Sequence, residues 1–377
     1  MKVSSLSILV LLFSFLGTSC AKLKSLGMKP DSYPHKKQQS FFHLNWAKNL
    51  DPIHQTGNLP IGYGTPLIHN KVVYFSDKSG VINAYDLESG RVLWSFNEKK
   101  QLSGKLGIYK GKLFYSSVSG RVYVRDLKTQ NLDYAIDLKA PIEAEPMFHQ
   151  GRAIFHLRNH QIMALDAATG KILWSYKRAV PYNTTLQRVS VPQAKGSRLF
   201  VGFADGHVGG FSLEEGILDW ETRITNKNKF IDVDVTPVIF NNRLVVSSAN
   251  GDLKFLSLKT GGQIISVAVT PGHTPRVEGN RLVFGTVDGR FLIVDSNGQI
   301  AIDKKISDKG VSSVVAWKGG YVAASHDGGL YYLNKSKLEV TESWHLGTDF
   351  STVFGKLVAS DGYLAVYSSR NRLYLFK

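Results

Sequence analysis

Few residues of this chain combine a reactive type with a telling spacing. His156 and His160 stand four apart, Cys20 is the single cysteine, and Asp232 and Asp234 alternate in "IDVDVTP". Glu143 and Glu145 repeat that alternation in "IEAEP", also just before a proline. Two imidazoles four apart hold a metal when a helix brings them to one face. A lone thiol can act as a nucleophile or accept a lipid, but it cannot close a disulfide within its own chain. Alternating carboxylates can accept a partner's guanidinium or ammonium group, or they can cap the N–H groups of a local turn. Which chemistry is open to each depends on the elements that carry them.

Repetition identifies those elements. "AYDLESGRVLWSF", residues 84 to 96, returns eighty positions later as "ALDAATGKILWSY", residues 164 to 176, with six of thirteen positions identical. The turn glycine of "SDKSGVINAYD", Gly80, has counterparts at Gly120, His160, Gly206, Gly251, Gly289, Gly328 and Asn371, spaced 38 to 46 residues apart. That makes eight units. Each reads as short β-branched and aromatic runs broken by Gly, Asp, Asn or Ser, with a further strand opening after a proline in "TPLIH", "EPMFH", "VPQ" and "TPVIF". Four strands per unit at this period predict an all-β fold, an eight-bladed β-propeller.

The repeated phrase is explained by turns and packing. Asp86 and Asp166 can accept backbone N–H groups two or three residues on, and Gly90 and Gly170 supply the positive φ that such turns need. Trp94, Trp174 and Trp220 each follow that glycine position by four residues on an outer strand. They are expected to wedge against the adjacent blade rather than to stack on sugars or bases.

The chain ends supply a closure. The last unit stops at "RNRLYLFK" without its outer strand, and "FFHLNWAKNL", residues 41 to 50, is an outer strand without a blade. Paired, they complete the eighth blade, so residues 41–377 form one propeller and leave nothing for a second domain.

Residues 1–19 read as a secretory signal: Lys2, an apolar core from Leu6 to Leu16, then small residues before Cys20. The stretch resembles a bacterial lipobox, with its leucine four rather than three places before the cysteine, so Cys20 is expected to carry a lipid. An ordinary signal peptide with an unmodified thiol is the alternative. Ala21 in the next position suggests the outer membrane, periplasmic side. Residues 20–40, with five lysines, two prolines and several polar residues, read as a lipidated cysteine and flexible basic tether.

Without the signal, 45 basic residues face 30 acidic ones. They are scattered through all eight units with no aromatic-interleaved basic stretch, which argues against nucleic acid and for anionic membrane surfaces or an acidic protein. His156 and His160 fall across a strand end and a turn, where four residues do not bring side chains together, so no metal is expected there. No G-x-S-x-G, phosphate-binding loop, dinucleotide fingerprint or H-E-x-x-H occurs.

The pattern A-x-D-x-x-T-G-x-x-x-W resembles the repeat of pyrroloquinoline-quinone dehydrogenases. Those enzymes resemble one another in a paired-cysteine disulfide beside the cofactor, which a chain with one cysteine cannot form, so no cofactor is expected. Lipobox, tether and eight such blades together resemble the BamB family of outer-membrane β-barrel assembly lipoproteins. Residues 231 to 246, "IDVDVTPVIFNNRLVV", are similar to that family's D-V-D-x-T-P segment, and "TTLQRVSVP", residues 184 to 192, to its L-x-L-R stretch before a proline, with Gln187 interrupting the match. The resemblance implies a non-enzymatic scaffold that docks through Leu186, Arg188, Asp232 and Asp234 on a POTRA domain of the barrel-inserting subunit and aids insertion of unfolded outer-membrane proteins. Independently of it, Asp234 and Glu143, each three before a proline, are expected at the axial end of a blade, where docking and turn-capping roles both remain open. A periplasmic ligand-binding propeller and a quinone-dependent dehydrogenase are the alternative functions.

Overall fold

Strands with one apolar face need sheets stacked face to face, and a ring of such sheets leaves no apolar face bare. The computed structural model describes residues 41–50, 63–180, 189–347 and 351–377. They form eight antiparallel four-stranded sheets, the blades of a propeller. Blade 1 runs from the axis outward as Leu67–His69, Val72–Ser76, Val81–Asp86 and Val92–Asn97, and blades 2 to 7 repeat that order. In blade 1 the two middle strands hold the buried positions and have none that is fully exposed, while the outermost strand mixes exposed and half-buried positions. The proline-led strand is the innermost strand of the blade that follows it: Leu67, Met147, Gln193 and Val238 come directly after Pro66, Pro146, Pro192 and Pro237. Proline lacks an N–H, which costs nothing at the start of a strand with an unpaired edge.

Blade 8 joins the two ends of the chain. Leu44–Asn49 lies beside Arg372–Phe376, with Leu44 opposite Phe376, Trp46 opposite Leu375 and Lys48 opposite Leu373. Just upstream, the chain is fixed to blade 7. The backbone N–H groups of Phe41 and Phe42 donate to the Glu342 carboxylate at 3.0 and 3.1 Å, Lys318 Nζ donates to the Phe41 carbonyl at 3.1 Å, and the Phe41 ring stacks on Tyr332 at 3.8 Å.

Four of the eight seams between blades reuse one contact. The indole N–H of Trp46, Trp174 and Trp220 donates to the carbonyl of Leu87, Leu213 and Leu258 in the next blade at 3.0, 2.9 and 3.2 Å, and Tyr134 does the same through its hydroxyl to Ala167 at 3.0 Å. Beneath each ring lies a glycine of positive φ, namely Gly90, Gly216, Gly261 and Gly170. The seam at Trp94 is built differently. It packs with blade 2, but Gln130 replaces the glycine, and Arg125 fills the seam with its guanidinium 3.8 Å from the centre of Phe96 and 2.8 Å from Glu98. The turn markers of the repeat also differ in one place: His160 and Asn371 take the left-handed conformation at φ 63° and 56°, whereas Gly251 does not.

Antiparallel succession gives the ring two distinct faces. Turns that join the inner strand pair and the outer strand pair open on one side, the turn face. Turns between the middle strands, and the linkers from blade to blade, open on the other, the linker face. Contacts between neighbours agree, as where Trp317 Nε1 donates to the Gly362 carbonyl at 2.9 Å across the turn face of blades 7 and 8.

A methyl group at Gly216 would stand 2.4 Å from the Trp174 ring at φ 71°, whereas one at Gly111, at φ 75°, would meet nothing within 4 Å. Gly216→Ala is therefore expected to cost about 3 kcal/mol or more in urea unfolding and Gly111→Ala only about 1 to 2 kcal/mol, since both share the left-handed penalty and only the first adds a clash. Equal losses would mean that the ring-on-glycine contact contributes little.

Candidate functional site

The linkers converge on the axis of the linker face. Lys105, Glu143, Glu145, Asp234, His273 and Lys356, from five different blades and the linkers between them, line a cavity of about 30 Å³ there. Ordinary small-molecule pockets occupy roughly 300 to 1,000 Å³. Charge fills the space instead: Lys356 Nζ lies 2.6 Å from Glu145 Oε2, and Arg158 Nη1 lies 2.8 Å from Glu143 Oε1. Burial alone would raise the Glu145 carboxyl, but the Lys356 ammonium, with Lys105 behind it, holds it below the ordinary carboxylate range. A wider recess of about 410 Å³ opens beside the axis between Tyr63, Lys78, Gln101, Ser103 and Arg158.

Asp232 and Asp234 flank a wedge. Val233 between them is buried against Gly202, where an added methyl would come within 2.4 Å of its side chain, and its N–H donates to the Phe203 carbonyl at 3.0 Å. The Asp232 carbonyl accepts the Ala249 N–H at 2.8 Å. The two carboxylates are thereby held at 4% and 8% exposure, with Asp234 turned to the axial cavity as its place before Pro237 had suggested.

The second segment singled out in the sequence reaches the same place. Leu186 and Arg188 lie outside the described residues, as do Cys20 and the whole stretch 1–40. From Val189 onward the chain is anchored through Ser190. Its carbonyl accepts the His156 Nδ1–H at 3.0 Å, and its hydroxyl exchanges hydrogen bonds with the Gly202 carbonyl at 2.8 Å and the Gly202 N–H at 3.1 Å. The Val191 N–H then donates to Thr236 Oγ1 at 3.2 Å, which ties the linker before blade 4 to the linker before blade 5, two residues from Asp234.

His156 is the member of this arrangement that its spacing in the sequence did not reveal. Among the described residues no group of three or more His, Cys, Asp or Glu side chains is placed to hold a metal, and His156 is a buried structural anchor at 2% exposure. Its Nε2 has no hydrogen-bond partner. Desolvation, opposed by the bond to Ser190 and assisted by nearby His160, pushes its pKa down to about 4. The Lys356–Glu145 contact, across 211 residues, likewise has no local signature.

Because the unfolded chain protonates His156 near its ordinary value and the folded chain does so only near 4, stability is expected to rise with pH between about 4 and 6.5, by up to about 3 kcal/mol. His156→Asn, which keeps an amide N–H near the Nδ1 position, should remove that part of the slope in urea titrations from pH 4 to 7. An unchanged slope would locate the titration elsewhere.

A family profile described as "Outer membrane protein assembly factor BamB" matches residues 78–305. Among curated proteins, the chain is similar to the outer membrane protein assembly factor BamB of Yersinia pestis, 22% identical over 281 residues that span 70% of this chain and 71% of the relative. It is similar to that of Escherichia coli K12 at 23% identity over 327 residues, 82% and 83% of the two chains. Among solved structures, BamB from Moraxella catarrhalis matches with a TM-score of 0.73 at 17% identity, covering 89% of this chain and 99% of that one. A europium-containing methanol dehydrogenase matches at 0.68 and 14%, covering 87% and 85%. At these identities the structural likenesses speak for the fold.

Proposed function

The chain belongs to the family of the outer membrane protein assembly factor BamB, and from that premise we infer that it is a non-enzymatic scaffold of the outer-membrane β-barrel assembly machinery. In this reading Cys20 carries a lipid that anchors the protein to the outer membrane, and the propeller works on the periplasmic side. It docks through Leu186, Arg188, Asp232 and Asp234 on a POTRA domain of the barrel-inserting subunit.

The observation that carries the docking reading is the Val191–Thr236 bond, which gathers the two matching segments on one face beside Asp234. A docking point needs a rigid frame, and here Val233 and Ser190 are both fixed against Gly202. An apolar anchor such as Leu186 beside a bidentate arginine such as Arg188 is the composition that dominates protein interfaces. The outermost strands offer a second contact. Their free edges carry exposed apolar side chains, among them Val92, Leu132, Ile172, Ile300 and Val340, and can take up an unfolded outer-membrane strand by β-augmentation. Ion pairs at the axis support a scaffold over an enzyme with an axial cofactor, because Lys356–Glu145 and Arg158–Glu143 leave a cavity of only about 30 Å³ there.

At 4% and 8% exposure, reversing the charge of Asp232 or Asp234 would carry a burial cost of its own, so the near-isosteric change to asparagine is the cleaner test. Asp232→Asn with Asp234→Asn is expected to lower co-purification of the barrel-inserting subunit at least about tenfold, while the thermal midpoint moves by no more than about 4 °C. Leu186→Ala with Arg188→Glu should do the same. Full co-purification by both double variants would remove these residues from the docking site.

A further inference from the structure

The two faces of the ring differ in charge. Outside the strands, the turns and chain ends of the turn face hold ten basic and five acidic residues, whereas the described loops of the linker face hold eleven of each. The surplus is also localised. Blades 7, 8, 1 and 2 contribute eight of those ten basic residues and three of the five acidic ones, and the other four blades contribute two of each. Lys318, Lys335 and Lys337 belong to blade 7, Lys377 to blade 8, Lys71 to blade 1 and Lys110 to blade 2, all of them exposed. Of the three acids, Glu88 already lies 3.7 Å from Lys377.

The described chain begins in the middle of this arc. Phe41 is held on the turn face between blades 7 and 8 by Glu342, Lys318 and Tyr332. The twenty residues upstream of it, 21–40, add five more lysines. A scattered surplus would be the ordinary solvated surface of a basic protein. A surplus of exposed loop lysines gathered on one half of one face, while strand-end arginines on the other half such as Arg198 and Arg243 are half-buried and donate to turn carbonyls of the next blade, is a surface matched to a flat anionic partner.

We propose that the turn face of blades 7, 8, 1 and 2 rests on an anionic phospholipid surface, leaving the linker face turned away from it. Each lysine within a Debye length of such a surface adds a salt-sensitive attraction. The proposal rests on the scaffold reading only for the lipid on Cys20, and it requires no protein partner.

The test uses the full chain bound to vesicles of phosphatidylethanolamine with phosphatidylglycerol, or of phosphatidylcholine alone, and reads the rate of amine labelling of individual lysines by mass spectrometry. On phosphatidylglycerol, labelling of Lys71, Lys335 and Lys337 is expected to slow at least about fivefold relative to Lys99 and Lys227 of the linker face, and the difference should vanish at high salt. Changing Lys71, Lys128, Lys335 and Lys337 to Glu should abolish protection of Lys110 and Lys377, while the same change at Lys99, Lys100, Lys139 and Lys229 should leave it. Uniform protection, protection of the linker face, or equal protection on phosphatidylcholine would each overturn the proposal, the last assigning the contact to the lipid anchor instead of charge, and no protection on either lipid would overturn it in favour of an acidic protein as the occupant. Because the vesicles hold no assembly subunit, this outcome stands apart from the co-purification result.

Discussion

The pairing of Leu44–Asn49 with Arg372–Phe376 is the constraint on which the other contacts depend. Every blade of a propeller leans on two neighbours, so an open ring would expose one flank of blade 8 and one of blade 1 together. Closing it with hydrogen bonds between strands from opposite ends of the chain makes ring opening and the loss of blade 8 a single event. The closing strand brings its own seam residue: Trp46 sits over Gly90 of blade 1 just as Trp174 sits over Gly216. Glu342, which occupies the tryptophan position of blade 7, accepts the N–H groups of Phe41 and Phe42 and so secures the start of that strand on the other side.

Rigidity at the axis follows from the same closure. Linkers between blades are loops, and loops hold a fixed shape only when both ends are fixed and their backbone groups are paired. Here Ser190 is clamped between His156 and Gly202, Val233 is wedged at Gly202, and Lys356 of blade 8 reaches Glu145 at blade 3 across the axis. That last contact exists only because the eight blades meet in a ring. A protein without an enlarged axial pocket can still use its axis, as the place where segments from separate blades hold one another in register.

Much of the architecture was legible because it is periodic. The turn residues at Gly80 and its counterparts, the Asp–Gly turns and the tryptophans four residues after them repeat a local solution, and repetition exposes a local solution to reading. The missing outer strand of the last unit and the unassigned strand at Trp46 likewise predicted the closure that is observed. What the spacing could not show is pairing across blades. His156 and Ser190 are 34 residues apart, which is no period of the repeat, while Val191, Thr236, Glu145 and Lys356 each stand two residues before an innermost strand, so the repeat gathers them at the axis without saying which of them pair. The Arg125–Glu98 seam is hidden for the opposite reason, since it departs from the repeat at a boundary where Gln130 stands for glycine. Asp232 and Asp234 were readable as a pair by their alternation, but their burial depends on Val233 meeting Gly202 of another blade.

A propeller separates its two faces by the length of a strand, about 17 to 20 Å for five or six residues. That separation allows one small ring to meet two unlike partners without either competing for the other's residues. Turns between strands within a blade are short and carry little structure beyond their own hydrogen bonds, so they accept exposed lysines such as Lys71, Lys335 and Lys337. Linkers between blades are longer, cross a seam and reach the axis, so a side chain there is held by neighbours from elsewhere in the chain, as Asp234 and Lys356 are. Diffuse charge therefore belongs on the turn face and shaped, specific contact on the linker face. A flat, chemically uniform surface asks only for charge, whereas a folded partner asks for positions fixed to a fraction of an ångström, and the topology of the blades supplies each on a different side.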